Sequence, residues 1–306
     1  MTIRIAIIGF GKIARDQHVP SIAADPRFAL VATSTRSGDP GLGLPWFEEP
    51  ARLFAQMRGE LDAVAICTPP IARHEIARAA LEAGLHVLLE KPPAATLGEI
   101  EHLDKVARDC GRTLFAAWHS QHAPSVPAAA ELLAGRKVTA LQISWREDVR
   151  KWHPGQEWIW APGGFGVFDP GINALSIATR ILPERLFVRE ARLFVPANRQ
   201  APIAASIAFA DDGFAAAFDW RHTDDEEWTI RIETQEGAVV ELRDGGARLF
   251  VDGVERVVES RGEYPGLYDR FATLIAEGES DVDREPLRIV ADAFLVGSRD
   301  PVEPFL

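Results

Sequence analysis

Two cysteines in 306 residues leave little from which to build a covalent framework. Cys67 and Cys110 form no Cys-x-x-Cys pair and stand in no cluster with metal-ligand spacing. Neither a disulfide scaffold nor a metal is expected, and both thiols read as small buried hydrophobes. Cations are also short, with 33 Lys and Arg against 45 Asp and Glu and a formal net charge of -12. Nucleic-acid binding needs clustered Lys and Arg, so no nucleic-acid partner is expected. No apolar run reaches the roughly 18 residues that span a bilayer, so no membrane partner is expected either. Residues 1–9 lack the long apolar core and small-residue cleavage site of a secretory signal. The expectation is a cytoplasmic protein of ordinary globular composition, 47% hydrophobic and 25% charged. At roughly 150 residues per domain, its length suits two domains.

What is present divides at about residue 120. Before it, apolar β-rich runs at 3–9, 28–35, 63–68, 86–89 and 113–117 alternate with helical patterns at 12–24, 51–57, 74–83 and 97–110. Strand and helix in alternation predict a doubly wound parallel sheet, whose strands are apolar throughout because both faces are covered. Gly84 and Gly111 stand where helices want a left-handed cap. After residue 120 come a strand at 138–145, a Trp-rich stretch at 152–160 and a helical pattern at 168–182. Strands follow at 186–194, 203–209, 214–220, 228–234 and 239–242, with turn chemistry at Asp211-Asp212-Gly213 and Asp244-Gly245-Gly246 and a short hairpin around Asp252-Gly253. Helical patterns at 264–276 and 286–296 close the chain. The expected fold is α/β: a Rossmann domain over 1–120, then an α+β domain over 121–306 with an open, mostly antiparallel sheet. No internal repeat or low-complexity segment appears.

The first chemical motif is Gly9-Phe10-Gly11-Lys12-Ile13-Ala14, between the first strand and the first helix. A lone Gly-x-Gly-x-x-Ala is weak evidence, but here it occupies the position its mechanism requires. Gly9 makes the tight turn, Gly11 admits the pyrophosphate to the backbone, and Ala14 keeps helix and sheet close. Lys12 and Ile13 complete the turn, and the helix N-terminus faces the phosphates. An acid at the end of the second strand would select NAD through the ribose hydroxyl. This chain has Thr33-Ser34-Thr35-Arg36-Ser37 there and no acid before Asp39. Ser34 and Arg36 could hold a 2′-phosphate, so NADP should be accepted, and nothing excludes NAD.

Glu90-Lys91-Pro92 at the end of the 86–89 strand, with Thr68-Pro69 at the end of 63–68, resembles the glucose-fructose oxidoreductase/inositol dehydrogenase/MocA family over the whole chain. Longer runs carry a likeness to its aldose 1-dehydrogenase branch, the bacterial enzymes acting on D-galactose or L-arabinose. These are Gly11-Lys12-Ile13-Ala14-Arg15-Asp16-Gln17-His18, Trp118-His119-Ser120, the stretch from Glu147 to Gln156, and Phe168-Asp169-Pro170-Gly171-Ile172-Asn173 onward. The resemblance implies oxidation of an aldopyranose at C1 to a lactone, hydride passing to NAD(P)+, with a small-molecule aldose as partner. It also implies a homodimer, with a second subunit covering one face of the second sheet. Thr68, Glu90 and Lys91 then join the cofactor-binding residues. One departure matters: many members place an acid/base His where this chain has Asn173, an amide that cannot titrate. His74 lies one residue beyond the family's usual His, so no role is carried onto it.

At such a site C1 must present its hydride and the anomeric hydroxyl must lose a proton. Lys91, at the carboxyl end of a parallel strand, could hydrogen-bond the anomeric oxygen. Asp169 and Asn173 are spaced i,i+4 and share a helix face, Asp169 as general base and Asn173 orienting hydroxyls. Asp169 just before Pro170-Gly171 would equally suit a helix N-cap. His119, Glu147, Trp152 and His153 are the other candidate sugar contacts, whereas Trp145, Trp158 and Trp160 read as core or interface. Another aldose or polyol dehydrogenase of the same fold, or a non-catalytic sugar sensor, would share most of these features.

Overall fold

The computed structural model describes residues 2–306; Met1 lies outside the described residues. The chain forms two compact units, one of residues up to His119 with Tyr264–Arg284, the other of Ser120–Glu263 with Glu285–Leu306.

The first unit is built on β1 (Ile3–Ile8), β2 (Phe28–Ser34), β3 (Trp46–Phe47), β4 (Ala63–Ile66), β5 (His86–Glu90) and β6 (Leu114–Ala117). They form one parallel sheet in the order β3-β2-β1-β4-β5-β6. The reversal of winding at β1 and β4 is the place where open α/β sheets bind ligands. Helices α1 (Val19–Ala24), α2 (Pro50–Gln56), α3 (Pro70–Glu82) and α4 (Leu97–Cys110) connect the strands. Local chemistry explains their ends. Thr96 and Glu99 form a reciprocal capping box at the start of α4, and Gly111 ends it in the left-handed region at φ 59°.

The stretch expected as one helix over 12–24 is helical throughout, with a change of winding inside it. A π-turn at Ala14–His18 precedes α1, and Pro20, with no N–H to donate, stands at the junction. His18 at the end of that turn is fully buried. The unit also takes in the later helix Glu263–Glu277, so it is not completed by residues 1–120 alone. Leu267, Tyr268, Phe271 and Leu274 enter the same core as Ile5, Ile7 and Phe115. The Phe271 ring stacks on Phe28 at 6.2 Å and Phe115 at 6.1 Å. A parallel sheet must be covered on both faces, which is the physical reason a distant helix is recruited.

The second unit contains α5 (Val126–Leu133), β7 (Val138–Arg146), α6 (Val149–Trp152) and α7 (Phe168–Ile181). Next come β8 (Val188–Pro196), β9 (Ala204–Phe209), β10 (Phe214–Asp219), β11 (Glu227–Thr234), β12 (Val239–Arg243), β13 (Arg248–Val251) and β14 (Val254–Arg256). The helix Glu263–Glu277 is α8 in chain order; α9 (Glu285–Val296) and β15 (Ser298–Val302) finish this unit. The sheet runs β14-β13-β12-β11-β7-β10-β9-β8-β15. Its pairs are antiparallel except β7 with β10 and β8 with β15, so the expected α+β architecture is borne out with a mixed sheet. Helix α7 lies close on it. A Cβ at Gly171 would sit 2.7 Å from Cδ1 of Phe218 on β10, so only glycine permits this approach.

Candidate active site

The residues expected to bind the cofactor stand at and just after the carboxyl ends of β1, β2, β4 and β5. Gly9 has φ 87°, and its N–H donates to Ser34 O at 2.8 Å. A Cβ there would lie 2.8 Å from both N and Cγ2 of Thr68, so glycine alone fits between the strand ends. Gly11 has open space on its Cβ side, and Gly11, Lys12 and Ile13 are all exposed. An exposed isoleucine beside a glycine with no neighbour is a surface shaped for a ligand to lie on. The buried hydroxyls Ser34 Oγ and Thr68 Oγ1 have no hydrogen-bond partner among the described residues. The residues present therefore fit a dinucleotide. Arg36 is exposed just beyond β2, and Lys12 pairs with Asp16 one turn on.

Lys91 is half-buried, and its main chain is held by charged side chains. Its N–H donates to Glu90 Oε2 at 2.8 Å. Arg73, itself buried, donates to the carbonyls of Glu90 and Pro92 on either side, and from Nε to Thr68 O at 2.7 Å. Glu90 Oε1 receives the Tyr264 hydroxyl at 2.6 Å and lies 3.1 Å from His18 Nε2, while His18 Nδ1 meets Tyr268 Oη at 2.7 Å. Burial pushes the Glu90 carboxyl up, but the bond and charge of His18, the charge of His119 and the Tyr264 hydroxyl hold it well below the usual carboxylate range. Burial likewise disfavours a charged His18, and its polar neighbours, Cys67, Tyr268 and Glu90, raise it well above the usual imidazole range. The two form a buried ion pair beside Lys91. His119, after β6, stacks on the Tyr264 ring at 5.3 Å.

On the second unit, Asp169 is 4% exposed in the first turn of α7, where the helix dipole favours a carboxylate. It is not the N-cap, which is Val167. Its Oδ2 lies 3.4 Å from Nε2 of His153, whose Nδ1 is 3.3 Å from Gln156 Oε1. Asn173 is half-buried one turn further along α7. The structure thus brings two of the expected residues, Asp169 and His153, together from separate segments, with Asn173 one turn along the same helix as Asp169.

Glu147, expected to meet sugar hydroxyls, is buried and accepts indole N–H bonds from Trp220 at 3.3 Å and Trp228 at 2.9 Å. Trp228 stacks on Trp145 at 5.7 Å and carries the half-exposed Trp152 at 5.5 Å, whose own N–H donates to Glu226 at 3.2 Å. Trp220 lies 5.3 Å from the His153 ring. Sequence reasoning gave no separate role to His18, Arg73, Tyr264, Trp220 or Trp228. The only local signal was that His18 ends the Gly11–His18 run and Arg73 follows Thr68-Pro69 within one turn of α3, since the other three are far from any motif in sequence. Among the described residues there is no group of three or more His, Cys, Asp or Glu able to hold a metal. No helix among them is long and apolar enough to cross a membrane.

Comparison with known proteins agrees with this arrangement. The family described as an oxidoreductase family with an NAD-binding Rossmann fold matches residues 3–118. A galactose 1-dehydrogenase from Pseudomonas fluorescens is 48% identical, covering 99% of this chain and 98% of the relative. The crystal structure of a D-galactose-1-dehydrogenase protein from Rhizobium etli superposes with a TM-score of 0.93 at 50% identity, covering 100% of this chain and 98% of that one. A 3-ketoreductase from Actinomadura kijaniata, solved with NADP, shares the fold at a TM-score of 0.84 and 20% identity, over 99% of this chain and 100% of that one.

Proposed function

The chain belongs to the glucose-fructose oxidoreductase/inositol dehydrogenase/MocA family of oxidoreductases, and from that premise we propose that it oxidises D-galactose at C1 to the aldonolactone. L-arabinose, which shares the C2–C4 stereochemistry and lacks only the hydroxymethyl group at C5, is the second substrate of this reading. A bound nicotinamide dinucleotide, NADP or NAD, supplies the hydride acceptor. The anomeric O–H bond breaks as C1 gives up its hydride, and C1 and its oxygen become the lactone carbonyl.

Each residue has a task in that step. The Lys91 ammonium donates to the anomeric oxygen and stabilises the charge that develops as the proton leaves. Asp169 accepts that proton, and His153, 3.4 Å away, is the neighbour to which it passes. Asn173 donates to and accepts from ring hydroxyls through an amide that stays neutral throughout. His119 and Trp152 bind the sugar, the half-exposed indole against its C–H face. Glu147 acts one step back by holding Trp220 and Trp228. Gly9, Gly11, Lys12, Ile13 and Thr68 would cradle the dinucleotide, and Arg36 with Ser34 would hold the 2′-phosphate of NADP, the guanidinium donating to it.

The observation that carries the reading is the Asp169–His153 pair with Asn173 one turn on, in a chain closely similar to a named galactose 1-dehydrogenase. The test is the ultraviolet absorbance of reduced nicotinamide with NADP+ or NAD+ and a panel of aldoses. Galactose-dependent reduction and trapping of the lactone with hydroxylamine are expected; absence of reduction with every aldose of the panel would overturn the assignment. The proposed homodimer is checked by sedimentation, where a mass equal to the chain's own 33.6 kDa would refute it.

A further inference from the structure

Tyr264 lies in sequence far from every residue assigned to the reaction, yet it touches one of them, His119, and the support of another, Lys91. It is 4% exposed, in the first turn of α8. Its hydroxyl donates to Glu90 Oε1 at 2.6 Å, and the other oxygen of that carboxylate receives the Lys91 N–H at 2.8 Å. The face of its ring stacks on His119 at 5.3 Å with the planes 19° apart. The His18 ring meets it edge-on at 5.1 Å. Strand register explains why one side chain reaches both groups. Glu90 on β5 pairs with Ala117 on β6, so Lys91 and His119 leave the sheet at neighbouring positions on the same end.

From this geometry we infer that Tyr264 is a positioning residue that holds Lys91, through Glu90, and His119, through its ring, in one fixed relation. The inference rests on the reading of Lys91 and His119 as sugar-facing groups. A long ammonium side chain can be aimed only as well as its own main chain is fixed, and half-ångström placement is what a reacting group requires. The stack restrains the plane of His119, and the hydroxyl bond removes freedom from the carboxylate under Lys91. Because both restraints come from one ring, substitutions at this position separate them.

Tyr264→Phe removes the bond to Glu90 and keeps the stack; Tyr264→Leu removes both. In Tyr264→Phe we expect kcat to fall about 10-fold, or about 1.4 kcal/mol, with the KM for sugar and the Kd for NADP+ unchanged. In Tyr264→Leu the sugar KM should rise as well. Hydrogen exchange read by mass spectrometry provides a measurement that needs no turnover. The amide of Lys91 should exchange faster in Tyr264→Phe while β1 and β4 keep wild-type protection. Unchanged exchange at Lys91, or faster exchange spread evenly over the sheet, would overturn the inference whether or not the wild type oxidises a sugar. Failure of the wild type on every aldose would instead overturn the substrate reading. Should Tyr264→Phe not fold, Tyr264→His keeps a ring and an N–H donor; wild-type exchange at Lys91 in that variant supports the inference, and loss of protection there refutes it.

Discussion

Glu90→Gln exchanges one buried charge for an amide of the same shape, and its consequences follow from the contacts of that side chain. The carboxylate accepts from Tyr264 at 2.6 Å and from the Lys91 N–H at 2.8 Å, and lies 3.1 Å from a His18 ring with no exposed surface. An amide keeps one acceptor oxygen but turns an N–H donor towards either the Lys91 N–H or the Tyr264 and His18 side. Breaking one partner of a buried ion pair costs about 3–5 kcal/mol. Because His18 can release its proton once the carboxylate is gone, the lower end applies: about 3 kcal/mol, or about a 150-fold loss in the folded-to-unfolded ratio.

The pH dependence of that loss has a definite sign. Glu90 is depressed below its ordinary 4.5, so its contribution is present above that pH and fades as pH falls through the folded value. His18 is raised above its ordinary 6.5, so its contribution is present below that pH and fades as pH rises towards the folded value. The stability gap between wild type and Glu90→Gln should therefore be widest between about 4.5 and 6.5 and narrow on both sides. Urea unfolding followed by far-ultraviolet circular dichroism across a pH series measures it. A gap below about 1 kcal/mol, or one that keeps widening above pH 6.5, would refute a charged pair at this position.

Three further outcomes are expected. Asp169→Asn should lower kcat by about 10²- to 10⁴-fold with little change in melting temperature, since it removes the proton acceptor and keeps the side-chain shape; near-normal turnover in steady-state kinetics would remove Asp169 from the chemistry. Arg36→Ala should raise the KM for NADP+ about 10-fold and leave that for NAD+ unchanged, because only the former carries the 2′-phosphate; equal changes for both cofactors would show that Arg36 does not read it. Gly171→Ala forces a methyl to within 2.7 Å of the Phe218 ring. It should cost about 1–3 kcal/mol of stability in urea titration and loosen α7 where Asp169 and Asn173 stand; an unchanged midpoint would mean that the helix does not need this close approach.

The Rossmann half was legible because its signals are local: continuous apolar strands, Gly9 and Gly11 at a strand-to-helix turn, and Gly111 ending α4 in the left-handed region. The second sheet was legible as strands, but not in full. The last strand, β15, reads Ser298-Arg299-Asp300-Pro301-Val302 and carries no alternation, because an edge strand paired on one side with β8 need bury little. Completion of the first unit by α8 was also invisible, since amphipathic spacing tells that a helix has a buried face but not which sheet it covers. The same limit hid the support of Lys91, which depends on Tyr264 and Tyr268 contributed by α8.

By itself the sequence determined most of the elements and the inventory of chemistry: a dinucleotide turn, a lysine at a strand end, an Asp and an Asn one helical turn apart, and a neutral amide at the family's acid/base position. These follow from spacing within a few residues, over which backbone geometry is nearly fixed. Only the tertiary structure decided what each group touches. It placed His153 against Asp169 across 16 residues of chain, committed Glu147 to two indoles, and put a buried His18–Glu90 pair beside Lys91. Those relations arise from packing between segments distant in sequence, where burial and the few available partners, rather than local spacing, set the charge and direction of every polar group.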